Sequence, residues 1–316
     1  MAVETGALSL ADIRAAAERI RPYVLPTPTL SGEAVAGPGV WLKAENLQRT
    51  GSFKLRGAIN AVLQLNPEQR RRGVITLSAG NHGQALAYAA RTVGIPCLVV
   101  IRDDAQASKL QAIRSQGAEI ALVPLAEWQA RLEAEQQRRN LHLVHPFDDP
   151  AVAAGQGTVG LEILAAVPDL RTLIVPVGGG GLISGIAVAV KQQRPDVRLI
   201  GVEPERAPVV SESLAAGHPV APSRLDSIAD GLAAPYTRPF VLSIIQRYVD
   251  EIRTVSDDAL VEALRGLALR SKLVVEPAGA AAVAAVQTDG AIDRPAVAIL
   301  SGGNVDGGRL GRWLGA

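Results

Sequence analysis

The order of short apolar runs and helical stretches is the feature that most constrains this fold. The apolar runs are Val74–Leu77, Cys97–Ile101, Ile120–Val123 and Leu141–Val144, and the helical stretches between them are Gly83–Val93, Ala105–Gln116 and Glu127–Arg139. Strands that are apolar on both faces are typical of parallel sheets with helices on both sides. The alternation therefore predicts an α/β fold built on a parallel sheet.

A second alternation of the same kind fills the C-terminal half. Its segments are Leu173–Val177, a helix from Leu182, Arg198–Val202, Val209–Ala216, Asp250–Val255, Asp257–Leu273, Ala278–Val286 and Ala296–Leu300. We therefore predict two open, twisted parallel-sheet lobes. Residues 1–70 and 150–316 are expected to form a large domain, and residues 71–149 a small inserted domain. We expect only a short helix after Ser301–Asp306, and hence no C-terminal regulatory domain.

Composition restricts the partners and the location. The net charge is +1 over 316 residues, without a long basic block, so no nucleic-acid or membrane partner is expected. The single cysteine, Cys97, excludes an internal disulfide framework. The N-terminus shows no signal peptide, and the longest apolar run, Leu273–Val286, is too short to span a bilayer. We expect a cytoplasmic homodimer or homotetramer that acts on a small molecule.

One lysine has surroundings suited to covalent chemistry. The chain contains only five lysines, and Lys54 lies in the segment Thr50–Ala58, between two glycines and beside Phe53. Taken alone, a lysine at the start of a helix is more often a solvated residue. Three other segments favour the chemical interpretation.

The first of these segments is a run of four glycines between a strand and a helix. Gly178–Gly181 precede Leu182 at the start of the helix. Glycines let the backbone approach an anion, and N–H groups at a helix N-terminus bind phosphate. The run lacks the lysine of a nucleotide-triphosphate loop. Gly155–Gly160 has the spacing of a dinucleotide site but follows no strand, so we predict that it binds no dinucleotide.

The other two segments also follow strands. Ser78–Gln84 come after Val74–Leu77, and Ser301–Asn304 come after the last strand. Successive backbone N–H groups at such a turn can bind a carboxylate, and Asn81 adds a side-chain donor. His82 could act as a base, although a lone histidine at a helix start is more often structural. Ligand sites in open parallel sheets lie outside the carboxyl ends of the strands, where all three segments are expected.

Together these residues resemble a known enzyme family. Ser52-Phe53-Lys54, Ser78–Gln84, Gly178–Leu182 and Ser301–Asn304, in this order, resemble the motifs of the fold-type II pyridoxal-phosphate enzymes. The chain is most similar to their threonine/serine dehydratase and serine racemase branch. The resemblance covers essentially the whole chain and implies a tryptophan synthase β-like fold with pyridoxal 5′-phosphate in the cleft between the lobes.

The resemblance also implies roles for single residues. Lys54 would carry the cofactor covalently and take the substrate's Cα proton, and Phe53 would lie against the pyridine ring. Asn81 would donate to the cofactor's 3′-oxygen, and Ser301 would face the ring nitrogen. The phosphate would be held by Gly178, Gly179, Gly180, Gly181 and Leu182. The substrate carboxylate would be bound around Ser78, Ala79, Gly80, Asn81 and His82, with Ser78 beside the β-substituent.

Two positions separate dehydratases from racemases in this branch. Racemases carry a serine before the glycine of the asparagine loop as a proton donor on the opposite face, where this chain has Ala79. The pair Phe147-Asp148 also resembles dehydratases. The resemblance therefore implies deaminating β-elimination, in which L-threonine, L-serine or a related 3-hydroxy amino acid gives a 2-oxo acid and ammonia. A serine or amino-acid racemase is the alternative.

The sequence does not decide whether a divalent cation binds or which amino acid is the substrate. Glu203 matches one carboxylate ligand of a divalent-cation site in the racemase branch, but Val209 stands where the second would be and Ala207 offers only a carbonyl, which makes a weak site. Phe147 and the segment Ser227–Pro239 are expected to shape the pocket for the β-substituent. Threonine, serine, 3-hydroxyaspartate and a hydroxyectoine-type intermediate all remain open as substrates. β-Replacement by a thiol and a non-catalytic role are disfavoured.

Overall fold

A computed structural model describes residues 8–78, 80–288 and 291–315. Ala79 lies outside these residues. The strands are β1 Thr29–Ser31, β2 Val40–Ala44, β3 Val74–Leu77, β4 Cys97–Arg102, β5 Glu119–Val123, β6 His142–Leu143, β7 Thr172–Pro176, β8 Arg198–Pro204, β9 Glu251–Val255 and β10 Ala296–Leu300. The helices are α1 Leu10–Ile20, α2 Glu33–Ala36, α3 Lys54–Leu63, α4 Pro67–Arg72, α5 Asn81–Val93, α6 Ala107–Arg114, α7 Trp128–Arg139, α8 Pro150–Ala166, α9 Gly181–Lys191, α10 Val209–Ala216, α11 Pro239–Tyr248, α12 Asp257–Leu269, α13 Pro277–Thr288 and α14 Gly307–Leu314.

The strands form two sheets, which confirms the predicted α/β fold with two lobes. The larger sheet has the order β1-β2-β10-β7-β8-β9, and the smaller one the order β5-β4-β3-β6. All pairings are parallel except that of β1 with β2. The smaller sheet lies wholly within residues 74–143, inside the segment expected as an insertion. The domain boundaries themselves stay a prediction.

Several local features differ from the expectation. The antiparallel edge strand β1 was not predicted, because three residues after a proline-rich loop are too few to show a strand pattern. Helices α8 and α11 were also missed. Helix α12 ends at Leu269 and not at Leu273, and Lys272 just beyond it has a left-handed φ of 60°, which a continuing helix does not allow.

The core lies on both faces of the larger sheet. In β7, Ile174 packs in one apolar cluster while Leu173 and Val175 pack in the other, and all three are fully buried. Successive strand residues point to opposite faces, so a sheet covered on both sides requires the continuously apolar strands seen in the sequence. Among the described residues, no helix is long and apolar enough to cross a bilayer.

The glycines with dinucleotide-like spacing serve helix packing. Gly155 and Gly157 lie inside α8, and α8 packs closely on α3 and α9. A Cβ on Gly155 would lie 2.6 Å from Gly57 Cα, and one on Gly157 would lie 2.7 Å from the Gly185 carbonyl oxygen. Real Cβ atoms do not approach so closely, so these glycines allow three helices to touch through their backbones.

Candidate active site

The predicted lysine is the first residue of helix α3, next to the C-terminal end of β10. The backbone N–H of Phe53, the residue before α3, donates to the Ser301 carbonyl at 3.1 Å. Ser52 forms an isolated bridge with Gly302. These contacts attach the start of α3 to the end of β10, although more than 240 residues separate them in the chain. The structure therefore brings the lysine segment and the Ser301 segment together.

The Lys54 amine lies in a poorly solvated position. Its Nζ donates to the carbonyl of Pro146 at 3.1 Å and lies 5.1 Å from the centroid of the Phe53 ring. Burial lowers the pKa of Lys54 from 10.5 to about 8, and the nearby Glu276 carboxylate opposes this shift. Burial disfavours the charged form of an amine, so roughly a tenth of Lys54 is neutral at pH 7, far more than for a free lysine, and this form can act as a nucleophile or base.

The asparagine loop contacts Glu276 and the Ser301–Asn304 segment through the side chain of Asn81. Asn81 begins α5, and its Nδ2 donates to Oε1 of Glu276 at 2.5 Å while its Oδ1 accepts from Nδ2 of Asn304 at 2.7 Å. Ser78 Oγ accepts from the N–H of Gly80 at 3.2 Å. A Cβ placed on Gly80 would meet nothing within 4 Å, so the loop borders open space at this point.

His82 has surroundings that suit a structural residue. It is buried, and its Nε2 lies 2.9 Å from the carbonyl of Val144. A carbonyl only accepts, so Nε2 carries the proton in this contact. Burial, with a further contribution from Lys54, lowers the pKa of His82 to about 3. The imidazole is therefore neutral at neutral pH and its proton is already bound, which agrees with the structural interpretation.

The glycine run connects β7 to the N-terminus of α9. Gly180 has a φ of 98°, which glycine adopts without strain. A Cβ on Gly179 would overlap the Phe147 ring, and one on Gly181 would lie 2.8 Å from the Phe147 Cβ. The Thr237 hydroxyl donates to the Gly179 carbonyl at 3.1 Å. The first N–H groups of a helix have no intrahelical partner, so this turn offers donors to an anion.

Ser301 ends β10 as a buried hydroxyl. Its Oγ donates to the Ala278 carbonyl at 3.2 Å, and the residue is 4% exposed. A hydroxyl that donates in one direction still carries lone pairs for another partner. Ser301 is therefore able to accept from, or after rotation donate to, a group that enters the site.

Glu276 is a site residue that the sequence did not reveal. It precedes α13, is 5% exposed, and is hydrogen-bonded to Asn81. Burial raises its pKa from 4.5 to about 7, although Asn81 and Lys54 favour the ionised form. The only signal was a carboxylate inside the apolar stretch Leu273–Val286. A buried acid that interacts electrostatically with a lysine of lowered pKa is a marker of a functional site.

An aromatic cluster of His145, Phe147 and Tyr236 lies near Lys54. Ring centroids of His145 and Phe147 are 4.6 Å apart, and those of Phe147 and Tyr236 are 5.6 Å apart. Burial, with Arg238 and Lys54 adding to it, lowers the pKa of His145 to about 4. The Cζ atom of Arg238 lies 4.6 Å from the centroid of the Tyr236 ring, and its Nε lies 3.7 Å from Oδ2 of Asp148. Phe147 and the 227–239 segment thus lie together, as they must if both shape one pocket.

Glu203, the candidate metal ligand, is hydrogen-bonded to the start of α10. Its Oε1 accepts from the N–H of Val210 at 2.7 Å, and its Oε2 accepts from the N–H and hydroxyl of Ser211 at 2.9 and 2.5 Å. Both oxygens therefore bind the first turn of α10. Ala207 is buried nearby. Within the described ranges, no group of three or more histidine, cysteine, aspartate or glutamate residues is arranged to hold a metal.

Comparison with known proteins agrees with this arrangement. Residues 20–302 match the family model described as pyridoxal-phosphate dependent enzyme. An L-threonine ammonia-lyase of Thermotoga maritima is 40% identical over 97% of this chain and 78% of its own. A catabolic L-threonine dehydratase of Staphylococcus aureus is 39% identical over 95% of this chain and 90% of its own.

Solved structures show the same architecture. Maize serine racemase superimposes with a TM-score of 0.92 at 37% identity and covers 97% of this chain and 96% of its own. A threonine deaminase from T.th. gives a TM-score of 0.89 at 42% identity, over 94% of this chain and 99% of its own. The chain therefore belongs to the family of pyridoxal-phosphate-dependent enzymes.

Proposed function

We propose that this protein is an ammonia-lyase that converts a small 3-hydroxy amino acid, such as L-threonine or L-serine, to a 2-oxo acid and ammonia. The observation that carries the proposal is the half-buried Lys54 amine, which contacts the Pro146 carbonyl and has a pKa lowered to about 8. The similarity to an L-threonine ammonia-lyase over 97% of the chain supports the same activity.

The residues of the site fit pyridoxal 5′-phosphate. Lys54 would bind the cofactor covalently, and Phe53 would pack on its ring. The phosphate would lie against the N–H groups of Gly178 to Gly181 and Leu182, at a turn where a side chain on Gly179 would overlap Phe147. Asn81 would donate to the 3′-oxygen, and the buried Ser301 hydroxyl would face the ring nitrogen. When bound, this cofactor supplies an electron-accepting ring for the substrate's Cα.

Lys54 is the base in this proposal. A free lysine, with a pKa near about 10.4, is almost fully protonated at neutral pH, but burial at this position brings the pKa to about 8. The neutral amine takes the proton from Cα. A base works best when its pKa is close to the working pH, so the desolvated site adapts this lysine to its task.

The asparagine loop binds and orients the substrate. Backbone N–H groups around Ser78 to His82 would hold the carboxylate, beside the open space in front of Gly80. Ser78 would lie beside the β-hydroxyl, which leaves as water with a proton from the Lys54 ammonium. The resulting enamino acid takes up one water and releases ammonia and a 2-oxo acid, so the atoms balance.

Racemisation is the second candidate, because maize serine racemase has the same architecture. It needs a second proton donor on the face of Cα opposite Lys54. Ala79 has no ionisable group, and the proton of His82 is held by the Val144 carbonyl. Neither can return a proton to Cα. We therefore favour elimination.

We also propose that Glu203 serves the fold and not a cation. A metal ligand needs free lone pairs, and the Glu203 oxygens accept three hydrogen bonds from Val210 and Ser211. Treatment with EDTA is expected to leave turnover unchanged. Loss of activity with EDTA and its return with Mg²⁺ would contradict this assignment.

The experiment that tests the function is a substrate panel. The purified protein with added pyridoxal phosphate is incubated with L-threonine, L-serine and 3-hydroxyaspartate, and the 2-oxo acid and ammonia are measured. We expect equal amounts of both products from at least one substrate, and none with Lys54→Ala. A wild-type protein that forms neither product from any of them would refute the proposal.

A further inference from the structure

Asn304 contacts only acceptors through its nitrogen. Its Nδ2 lies 2.8 Å from the carbonyl of Thr50, 2.7 Å from Oδ1 of Asn81 and 3.1 Å from Oε1 of Gln84. A backbone carbonyl cannot donate. The Thr50 carbonyl therefore fixes which end of the Asn304 amide carries nitrogen, independently of how the other two amides are oriented.

The orientation of the Asn304 amide determines the orientation of the Asn81 amide. Since Asn304 presents N–H groups, the Asn81 atom that faces it must be the acceptor Oδ1. The Asn81 nitrogen then points the other way, where it donates to Glu276 at 2.5 Å. An amide nitrogen carries two protons, so one N–H of Asn81 remains for a ligand in the site.

The turn at Gly51 holds Asn304 in place. Gly51 has a φ of 72°, and a Cβ on it would overlap the Asn304 side chain. The N–H of Gly303 donates to the Gly51 carbonyl at 2.8 Å. The turn and the segment before Asn304 thus pack directly on each other, and a side chain at position 51 would displace the amide.

We propose that Asn304 is a positioning residue that fixes the amide of Asn81 so that it presents an N–H, and not its oxygen, to the cofactor's 3′-oxygen. The proposal rests on the function proposed above, because it takes Asn81 as the residue that meets the cofactor. A reversed Asn81 would place oxygen against an electron-rich oxygen and lose a charge-assisted hydrogen bond. Asn304 acts only through Asn81.

Asn304→Asp tests this with almost no change in shape. A carboxylate has no N–H for the Thr50 carbonyl or for Asn81, so the Asn81 amide must turn its nitrogen toward position 304. We expect pyridoxal phosphate to bind about 10- to 100-fold more weakly, as for loss of one hydrogen bond to a charged group. The absorbance band of the bound cofactor should shift and change its pH dependence.

Asn46→Asp is the matched control. Asn46 is a buried amide of this region, and its Nδ2 donates to the Val274 carbonyl at 3.0 Å and not to Asn81. We expect this variant to lose stability while its cofactor affinity and band stay those of the wild type. If Asn304→Asp does not fold, Asn304→Ala, which frees Asn81 without adding charge, is expected to weaken binding and shift the band in the same direction.

The outcomes separate the inference from the proposed function. Wild-type cofactor affinity and spectrum in the Asn304 variants would overturn the inference, as would equal weakening in Asn46→Asp at equal loss of thermal stability. A wild-type protein that binds no pyridoxal phosphate and shows no band would instead refute the proposed function.

Discussion

Lys54 and Glu276 carry opposite charges when ionised, yet the pKa of each is shifted toward its neutral form. The pKa of Lys54 is lowered to about 8 and that of Glu276 is raised to about 7, in both cases mainly by burial. Attraction between the two charges would shift both pKa values the other way, so desolvation outweighs it. Both groups therefore change protonation state close to neutral pH.

Glu276→Gln tests this electrostatic account through stability. A carboxyl whose pKa is about 7 when folded and 4.5 when unfolded binds its proton more tightly in the folded state. The free energy of unfolding therefore falls as pH rises from about 4.5 to about 7, by about 3 kcal/mol for this group. Glutamine does not titrate, so the variant should lack this part of the fall.

The measurement is urea unfolding of the cofactor-free protein at several pH values between about 4.5 and about 7.5, which spans both pKa values. Glu33→Gln, a change of the same kind at an exposed position of α2, is the control and should follow the wild type. Parallel stability profiles for the wild type and Glu276→Gln would show that burial does not raise the pKa of this carboxyl.

At the scale of elements, helix α8 is held by backbone contact. A Cβ on Gly155 would overlap the backbone of α3 at Arg56 and Gly57. Gly155→Ala is therefore expected to lower the free energy of unfolding by about 1–3 kcal/mol, as for an overpacked core. In Gly311→Ala, where the Cβ of α14 meets nothing within 4 Å, stability should rise by up to about 1 kcal/mol. Equal thermal stability of the two variants would contradict the packing role.

A buried ion cluster joins the lysine helix to the strand beside it. Arg56, two residues after Lys54, is fully buried and contacts both oxygens of the fully buried Glu45 at 2.8 Å. It also contacts Glu162 at 2.6 and 2.9 Å, and Lys43 contacts Glu162 at 2.5 Å. Two cations and two carboxylates balance each other there.

Glu45→Ala should be strongly destabilising, because it leaves Arg56 buried with one carboxylate too few. Loss of one partner of a buried pair costs about 3–5 kcal/mol. Glu68→Ala, which breaks the exposed pair with Arg72 in α4, should cost less than about 1 kcal/mol. Chemical unfolding of the two variants distinguishes them, and similar losses would mean that the cluster adds little to the fold.

For the whole molecule, the sequence was informative wherever the signal is local. Apolar strands, the glycine turn after β7 and the lysine at the start of α3 are each contained within a short segment. Glu276 was missed because its place in the site depends on a hydrogen bond with Asn81, which is 195 residues away in the chain. Strand β1 was missed because its pairing with β2 fixes it, and not its own three residues. The contact of Glu203 with α10 likewise becomes visible only in the folded chain.

The measurement that tests the central claim most directly is the fate of L-serine in the wild-type protein loaded with pyridoxal phosphate. Pyruvate and D-serine are followed together in one time course. With Lys54 as the base and an alanine, which cannot donate a proton, at position 79, pyruvate should form faster than D-serine, and Lys54→Ala should form neither. Accumulation of D-serine faster than pyruvate would contradict the account.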